Sequence, residues 1–363
     1  MKLNICGSIF EQSGYAVHTK YLAECLQDIG YDVGIEASKP EGWEFGLPDK
    51  LFKMLGKDHT RETSIMVATP PFYNFKWADN PKKLIGFCVW EGDRIPTYWL
   101  EHMKICNQIW VPSVHVYESI RETCDMEGLP PVHIIPHGVD YKLFYPKKVE
   151  RDERFTFISV KGWAEGIHDR GGLQYLFKAF VEEFKEDEQV KLLVKVNLFY
   201  GGSEAHVEAW LKEMGIEKLP SNVEIVYDNL KFNELVDFYN KGDVFVSPTR
   251  GEAFGLNYVE AMACGKPVIA TNFGGQTDFI DETVGWLIEY KLEEVIHNPA
   301  YEGIKWATPD IKHLKETLRY CFEHQKEIKI KGENALKKIV GEYTWKHTAE
   351  KAKKALELFG IKD

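Results

Sequence analysis

The sequence predicts an α/β chain in two domains, each a parallel sheet with helices packed on it, and three observations carry that expectation. A chain of 363 residues is long for one core and comfortable for two. Residues 2–35 read as strand, helix, strand. Residues 243–280 repeat the order as strand, loop, helix, strand. Units of this kind build parallel sheets, whose ligands sit beyond the carboxyl ends of the strands.

In chain order, residues 2–6 form a strand and 7–14 a loop. Over 15–29, Val17, Tyr21, Leu22, Cys25, Leu26 and Ile29 recur at helical spacing, and Gly30 closes the helix. Residues 32–35 return as a strand. The stretch 41–62 is less periodic and reads as irregular structure or a short helix. Strands follow at 65–68 and 84–89, with Pro70-Pro71 breaking the chain between them. After Val89 comes Trp90-Glu91-Gly92-Asp93-Arg94-Ile95-Pro96, which places charge at the end of a buried strand. Glu91, Asp93 and Arg94 are therefore candidate ligand contacts, and a surface ion pair is an equal alternative. Residues 109–113 and 132–135 are further strand runs.

The second half opens with a strand at 155–160 and a loop at 161–172 rich in glycine and charge. Leu173, Leu176, Phe177, Phe180, Val181 and Phe184 then mark a helical stripe. Residues 191–196 are a strand with Lys195 inside an apolar run, and a buried-strand lysine needs a partner. Strands at 223–226, 243–246, 268–270 and 286–288 follow, then helices at 311–322, 328–340 and 344–359.

The stretch DVFVSPTRGEAFGLNYVEAMACGKPVIAT, from Asp243 to Thr271, concentrates the chemistry. Its strand ends at Ser247-Pro248-Thr249, a loop holds Gly251 and Gly255, and a short helix starts at Leu256. Gly265 and Pro267 stop that helix. Its free N–H groups beside a glycine favour a phosphate. Glu252 and Glu260, with seven residues between them, would repel one. Both features fit a ligand with an anionic part and a hydroxyl-rich part, as a nucleotide-sugar has. The plainer alternative is that Glu252 caps the helix and Glu260 is a solvated helix residue.

Composition narrows the class. Hydrophobic content of 44% with 28% charged residues is that of an ordinary globular chain. A net charge of −11 argues against a protein that grips nucleic acid by its phosphates. No apolar stretch approaches a membrane span and the N-terminus turns polar early, so a cytoplasmic location is expected. Membrane-surface association stays open, without a Lys/Arg cluster beside apolar residues to support it. The seven cysteines are scattered without metal spacing and read as reduced, buried thiols; no metal site is expected.

The run GEAFGLNYVEAMACGKPVIAT resembles the signature of retaining glycosyltransferases of family 4, glycosyl transferases group 1, whose hallmark is Glu, seven residues, Glu. The resemblance implies the GT-B fold: two Rossmann-like doubly wound domains facing a central cleft, with a C-terminal helix crossing back to the first. It implies an N-terminal acceptor domain over 1–146, a nucleotide-sugar domain over 147–343 and the returning helix over 344–363. The run Pro136-His137-Gly138-Val139-Asp140 resembles the family's linker, so His137 reads as structural.

By the same resemblance, Glu252 faces the donor sugar, Glu260 holds the ribose, and the amides near Phe254, Gly255 and Leu256 hold the diphosphate. Arg170 and Lys161 neutralise the leaving diphosphate, with Lys195 pointing toward it. Ser13-Gly14-Tyr15 resembles the loop that closes over the donor phosphates, which makes Gly14 donor-binding. Glu91 takes a sugar-facing role, although the family's usual His near that place is absent. The implied reaction moves a hexose from a UDP- or GDP-linked donor to a hydroxyl acceptor on a glycan or glycoconjugate, with retention and with neither metal nor cofactor. The rivals are a non-catalytic nucleotide-sugar-binding protein, and an epimerase or phosphorylase on the same fold.

Overall fold

The computed structural model describes residues 1–11, 13–37, 47–73, 80–198 and 203–360. They divide into two compact units, Met1–Gly138 with Tyr343–Asp363, and Val139–Glu342. Part of the irregular stretch expected at 41–62 lies outside the described residues. Among the described residues, no helix is long and apolar enough to cross a membrane.

The first unit runs β1 (Lys2–Gly7), α1 (Gly14–Asp28), β2 (Asp32–Glu36), α2 (Asp49–Phe52), β3 (Thr63–Val67), β4 (Lys83–Phe87), α3 (Trp99–Lys104), β5 (Gln108–Val111), α4 (Val114–Arg121) and β6 (Val132–Ile134). Its sheet has the order β2-β1-β3-β4-β5-β6, all parallel. Leu3, Ile5, Ile65, Ile85, Phe87 and Trp110 fill the core, which explains why these strands read as apolar runs rather than alternations. The C-terminal helix (Trp345–Leu358) packs in this unit: Trp345 stacks on Tyr21 of α1 at 5.0 Å, and Gln108 donates to Ala355 O at 3.0 Å. Gly138 makes that return possible, since a Cβ there would lie 2.3 Å from Trp345 N.

The second unit runs β7 (Phe155–Gly162), α5 (Leu173–Glu183), β8 (Val190–Asn197), α6 (Glu204–Glu213), β9 (Val223–Val226), α7 (Phe232–Lys241), β10 (Val244–Ser247), α8 (Leu256–Ala263), β11 (Val268–Thr271), β12 (Gly285–Ile288), β13 (Tyr290–Glu294), β14 (Lys305–Pro309), α9 (Ile311–Glu323) and α10 (Gln325–Glu342). Its main sheet is also parallel, in the order β12-β11-β10-β7-β8-β9. The stripe expected after Gly172 packs as read: Phe177 and Phe180 are fully buried against Leu192, Val194, Leu314 and Leu318. Each such side chain contributes about 1.5–3 kcal/mol by leaving water.

Residues 139–146 pack with the second unit, not with the domain to which the sequence assigned them. Buried Asn240 explains it: its amide donates to Tyr145 O at 3.1 Å and its carbonyl oxygen accepts from Lys147 N at 2.9 Å. The antiparallel pair β13 and β14 has no counterpart in the sequence reading. Its register sets Leu292 against Ala307, yet all five residues of β13 are exposed, so no clear alternation marks it.

Candidate functional site

In each sheet the strand order reverses beside the first strand, between β1 and β3 in one unit and between β7 and β10 in the other. Such a reversal splays the connecting loops apart and leaves a crevice at the carboxyl ends of the strands. In the second unit the loops after β7 and β10 meet there, and they carry most of the candidate residues.

The loop after β10 is held open by glycine. Gly255 caps α8 at φ +102°, a left-handed conformation that glycine adopts without strain, and no side chain closes the first turn. Glu252 is therefore not the helix cap. Its carboxylate instead pairs with the Lys161 ammonium at the end of β7, and both side chains are mostly buried. The loop after β7 ends alike. Gly172 caps α5 at φ +82° without a side-chain bond, and a Cβ there would stand 2.0 Å from Pro248 O. Two helix N-termini with side-chain-free caps thus converge on one switch point.

The two loops are laced together at that point. Arg170 donates through Nη1 to Gly251 O at 2.5 Å, Arg250 N donates to Arg170 O at 2.8 Å, and Thr249 Oγ1 reaches Arg170 O at 3.0 Å. Buried Asp169 shapes the spacer between Lys161 and Arg170. Its carboxylate accepts from Ala164 N, Glu165 N and Gly171 N at 2.9, 3.1 and 2.6 Å. That knot brings two cations nine positions apart to one edge. Asn257, in the first turn of α8, donates to Val160 O, and Gly275 N donates to Glu252 O at 2.7 Å.

Glu260, in α8, is not simply solvated. It accepts a bond from the buried Tyr239 hydroxyl at 2.7 Å, and burial pushes its carboxyl up to about 7, against the pull of that bond. Phe254 is buried against Phe279 at 5.2 Å, and Leu256 starts the helix with its side chain partly exposed. Lys195 stands apart from Lys161. In the β7–β8 register it pairs with Val160, so its side chain leaves the opposite face of the sheet from Lys161. Its ammonium donates to Val196 O at 3.0 Å; burial lowers its proton affinity and the Asp228 carboxylate opposes that.

Gly14 and Glu91 belong to the first unit. Gly14 is the exposed first residue of α1, whose cap is Ser13: its hydroxyl accepts from Ala16 N at 3.2 Å and donates to Glu11 at 2.5 Å. Glu91 follows β4 in a loop closed by Trp90 Nε1 donating to Arg94 O at 2.6 Å and Ser119 Oγ to Gly92 O at 2.7 Å. Asp93 and Arg94 lie 3.6 Å apart. Nearby in sequence terms nothing announced the buried pair His18 and His137, whose Nδ1 atoms are 2.6 Å apart beside Phe87 and Trp345. Burial, and then the His137 charge, hold His18 well below the usual histidine range.

Sequence reading also passed over Asp169, Thr249, Arg250 and Tyr239. For Arg250 a signal existed, a charged residue in the loop that follows a buried strand, which is the criterion that singled out Glu91. Asp169 stood before Arg-Gly-Gly, a turn pattern.

A family model described as Glycosyl transferases group 1 matches residues 162–298. Among characterised proteins, the chain is 26% identical over 219 residues to "MMP alpha-(1->4)-mannosyltransferase" of Mycolicibacterium hassiacum, 60% of this chain and 46% of that one. It is 30% identical over 199 residues to "D-inositol 3-phosphate glycosyltransferase" of Corynebacterium jeikeium, 50% and 46% of the two chains. The chain thus spans about half the length of these relatives. Its fold is that of sucrose-phosphate synthase from Thermosynechococcus elongatus, with a TM-score of 0.72 at 18% identity over 100% of both chains. Anabaena HepE in complex with UDP and glucose has the same fold, with a TM-score of 0.68 at 14% identity over 99% and 100%.

Proposed function

We propose that the chain is a retaining transferase of the glycosyl transferases group 1 family, whose model matches residues 162–298, and that it moves a hexose from a UDP- or GDP-linked donor to a glycan or glycoconjugate hydroxyl. One observation carries the reading. Lys161, Arg170, Glu252 and two glycine-capped helix N-termini converge where the second sheet reverses its strand order. An array of cations and free amides suits a diphosphate, and carboxylates at its margin suit hydroxyls. The UDP and glucose held by Anabaena HepE support a donor of that type here.

In the proposed step, the bond from the anomeric carbon to the diphosphate oxygen breaks and the acceptor oxygen bonds to the same face. The acceptor proton passes to the leaving diphosphate. Arg170, Lys161 and the first turns of α5 and α8 stabilise the charge that grows on it, in place before the reaction starts. Glu252 orients the sugar through its hydroxyls, and Glu260 holds the ribose. Lys161, Arg170 and the two helix N-termini supply positive charge without a metal, so the proposal is metal-independent. A cytoplasmic location is part of the proposal.

A thermal-shift panel of UDP, GDP, ADP and their sugar conjugates with EDTA present tests it, followed by assay of nucleotide release. A ligand at about a hundred times its dissociation constant adds about 2.7 kcal/mol to the folded state. The expected result is stabilisation by one nucleotide class, and release of that nucleotide only when acceptor is supplied. Silence from every nucleotide on folded protein would remove the donor site.

A further inference from the structure

We infer that Arg250 is a positioning residue for the diphosphate-binding guanidinium of Arg170, and that the β13–β14 hairpin is the anchor through which it acts; this rests on the proposed transferase reading. The observation is a charge in an expensive place. Arg250 is only 5% exposed, and its nearest ion-pair partner is Glu293 of β13 at 3.9 Å. A buried charge without a close counter-ion costs stability unless its donors are satisfied and its position is used.

Its donors are spent on holding three segments together. Nε donates to Ala307 O of β14 at 3.1 Å, Nη1 to His168 O at 3.2 Å, and Nη2 to Thr308 Oγ1 at 3.4 Å. The backbone repeats the link: Ala307 N donates to Arg250 O at 2.7 Å, and Arg250 N donates to Arg170 O at 2.8 Å. His168 lies two residues before Arg170, so the side chain fixes one approach to Arg170 and the backbone fixes Arg170 itself. The Trp306 ring, 5.6 Å from the guanidinium carbon, packs against the fork. Beyond this, Asn298 donates to Glu165 Oε1 at 2.9 Å and His297 stacks on His168 at 4.9 Å, tying the turn between β13 and β14 to the same loop.

A planar guanidinium reaches Ala307 O and His168 O from two different nitrogens held in one fixed plane, whereas an ammonium offers its three donors from a single atom and cannot reproduce that spacing. The test is therefore Arg250→Gln and Arg250→Lys in the full chain, each checked for folding by circular dichroism and melting. Binding of UDP and GDP, and of the matching nucleosides, is measured by calorimetry, and a cycle is closed with Arg170→Ala. Arg250→Gln is expected to weaken the bound diphosphate by about tenfold to a hundredfold, with nucleoside binding unchanged. Arg250→Lys should lose nearly as much, and neither should weaken binding further once Arg170 is alanine.

Wild-type affinity in folded Arg250→Gln overturns the inference, as do losses that add to that of Arg170→Ala. Full rescue by Arg250→Lys also overturns it, because charge alone would then suffice. Should Arg250→Gln not fold, Arg250→Lys carries the decision. If wild-type protein binds neither diphosphate, the transferase reading fails first, and it does so in a measurement that involves no variant.

Discussion

The two sheets end in opposite chemistry although both are parallel, six-stranded and reversed beside their first strand. At the carboxyl edge of the first unit, α1 is capped by the Ser13 hydroxyl, which is itself bonded to the Glu11 carboxylate. Its neighbours Phe87, His18, His137 and Trp345 form a buried aromatic cluster. At the matching edge of the second unit, α5 and α8 start at left-handed glycines with no side-chain cap, Lys161 pairs with Glu252, and Arg170 donates to the neighbouring Gly251 O. A helix N-terminus closed by its own serine, with a carboxylate beside it, is a finished structural end. One left open by glycine and ringed with cations keeps its field for an anion. Cap chemistry, rather than fold, is what distinguishes the two edges, and the proposed donor site lies at the open one.

The sharpest way to break that contrast is at Glu252. Glu252→Gln keeps the shape and removes the charge paired with Lys161, and turnover is expected to fall by about a hundredfold to a thousandfold. Nucleoside diphosphate should bind at least as well, since Lys161 is released to it. Unchanged nucleotide release would show that the carboxylate has no part in the reaction.

Next in size is the glycine at α5. Gly172→Ala puts a Cβ on the Pro248 carbonyl in a left-handed conformation, and should cost about 3 kcal/mol. A melting midpoint within a degree of wild type would contradict the crowding at that cap.

The third prediction concerns pH. The Glu260 carboxyl is about 7 in the folded chain against 4.5 unperturbed, so the folded state holds the proton more tightly and stability falls as pH rises from 4.5 through 7. Glu260→Gln removes that loss while keeping an acceptor for Tyr239. Given the partial exposure, it should stabilise by about 2 kcal/mol at pH 8 and by almost nothing at pH 4.5, read from melting at the two values. Equal effects at both would mean the carboxyl titrates normally.

Smallest is the first unit's cap. Ser13→Ala should cost about 1 kcal/mol, measured by denaturant unfolding. A variant as stable as wild type would mean that α1 does not depend on that hydroxyl, and the contrast between the two edges would blur.

Much of the local structure was legible because it depends on near neighbours. The run 243–246 read as a buried strand and lies one residue on, at Val244–Ser247; the helix read from Leu256 spans Leu256–Ala263, and Gly265 with Pro267 follow its end. The stripe Leu173, Leu176, Phe177, Phe180 fixed α5 before any fold was known. The seven-residue spacing of Glu252 and Glu260 was visible as a pattern, but the partner of each was not. Each carboxylate has its own distant partner, Lys161 for one and Tyr239 for the other.

By itself the sequence determined where most strands and the helices α1, α5, α8, α9 and α10 lie, that Gly265 ends α8, and which stretch gathers the candidate residues, because periodicity and capping act over a few residues. Tertiary structure decided who meets whom. The Lys161 ammonium finds Glu252 across 91 positions, Asp169 ties off the spacer so that Lys161 and Arg170 share an edge, and Arg250 is committed to His168 and Ala307. His18 and His137 pair across 119 positions, and the helix from Trp345 returns to the first unit. None of these pairings leaves a spacing to read, since each depends on strand order and on loops brought together only when the sheet is assembled.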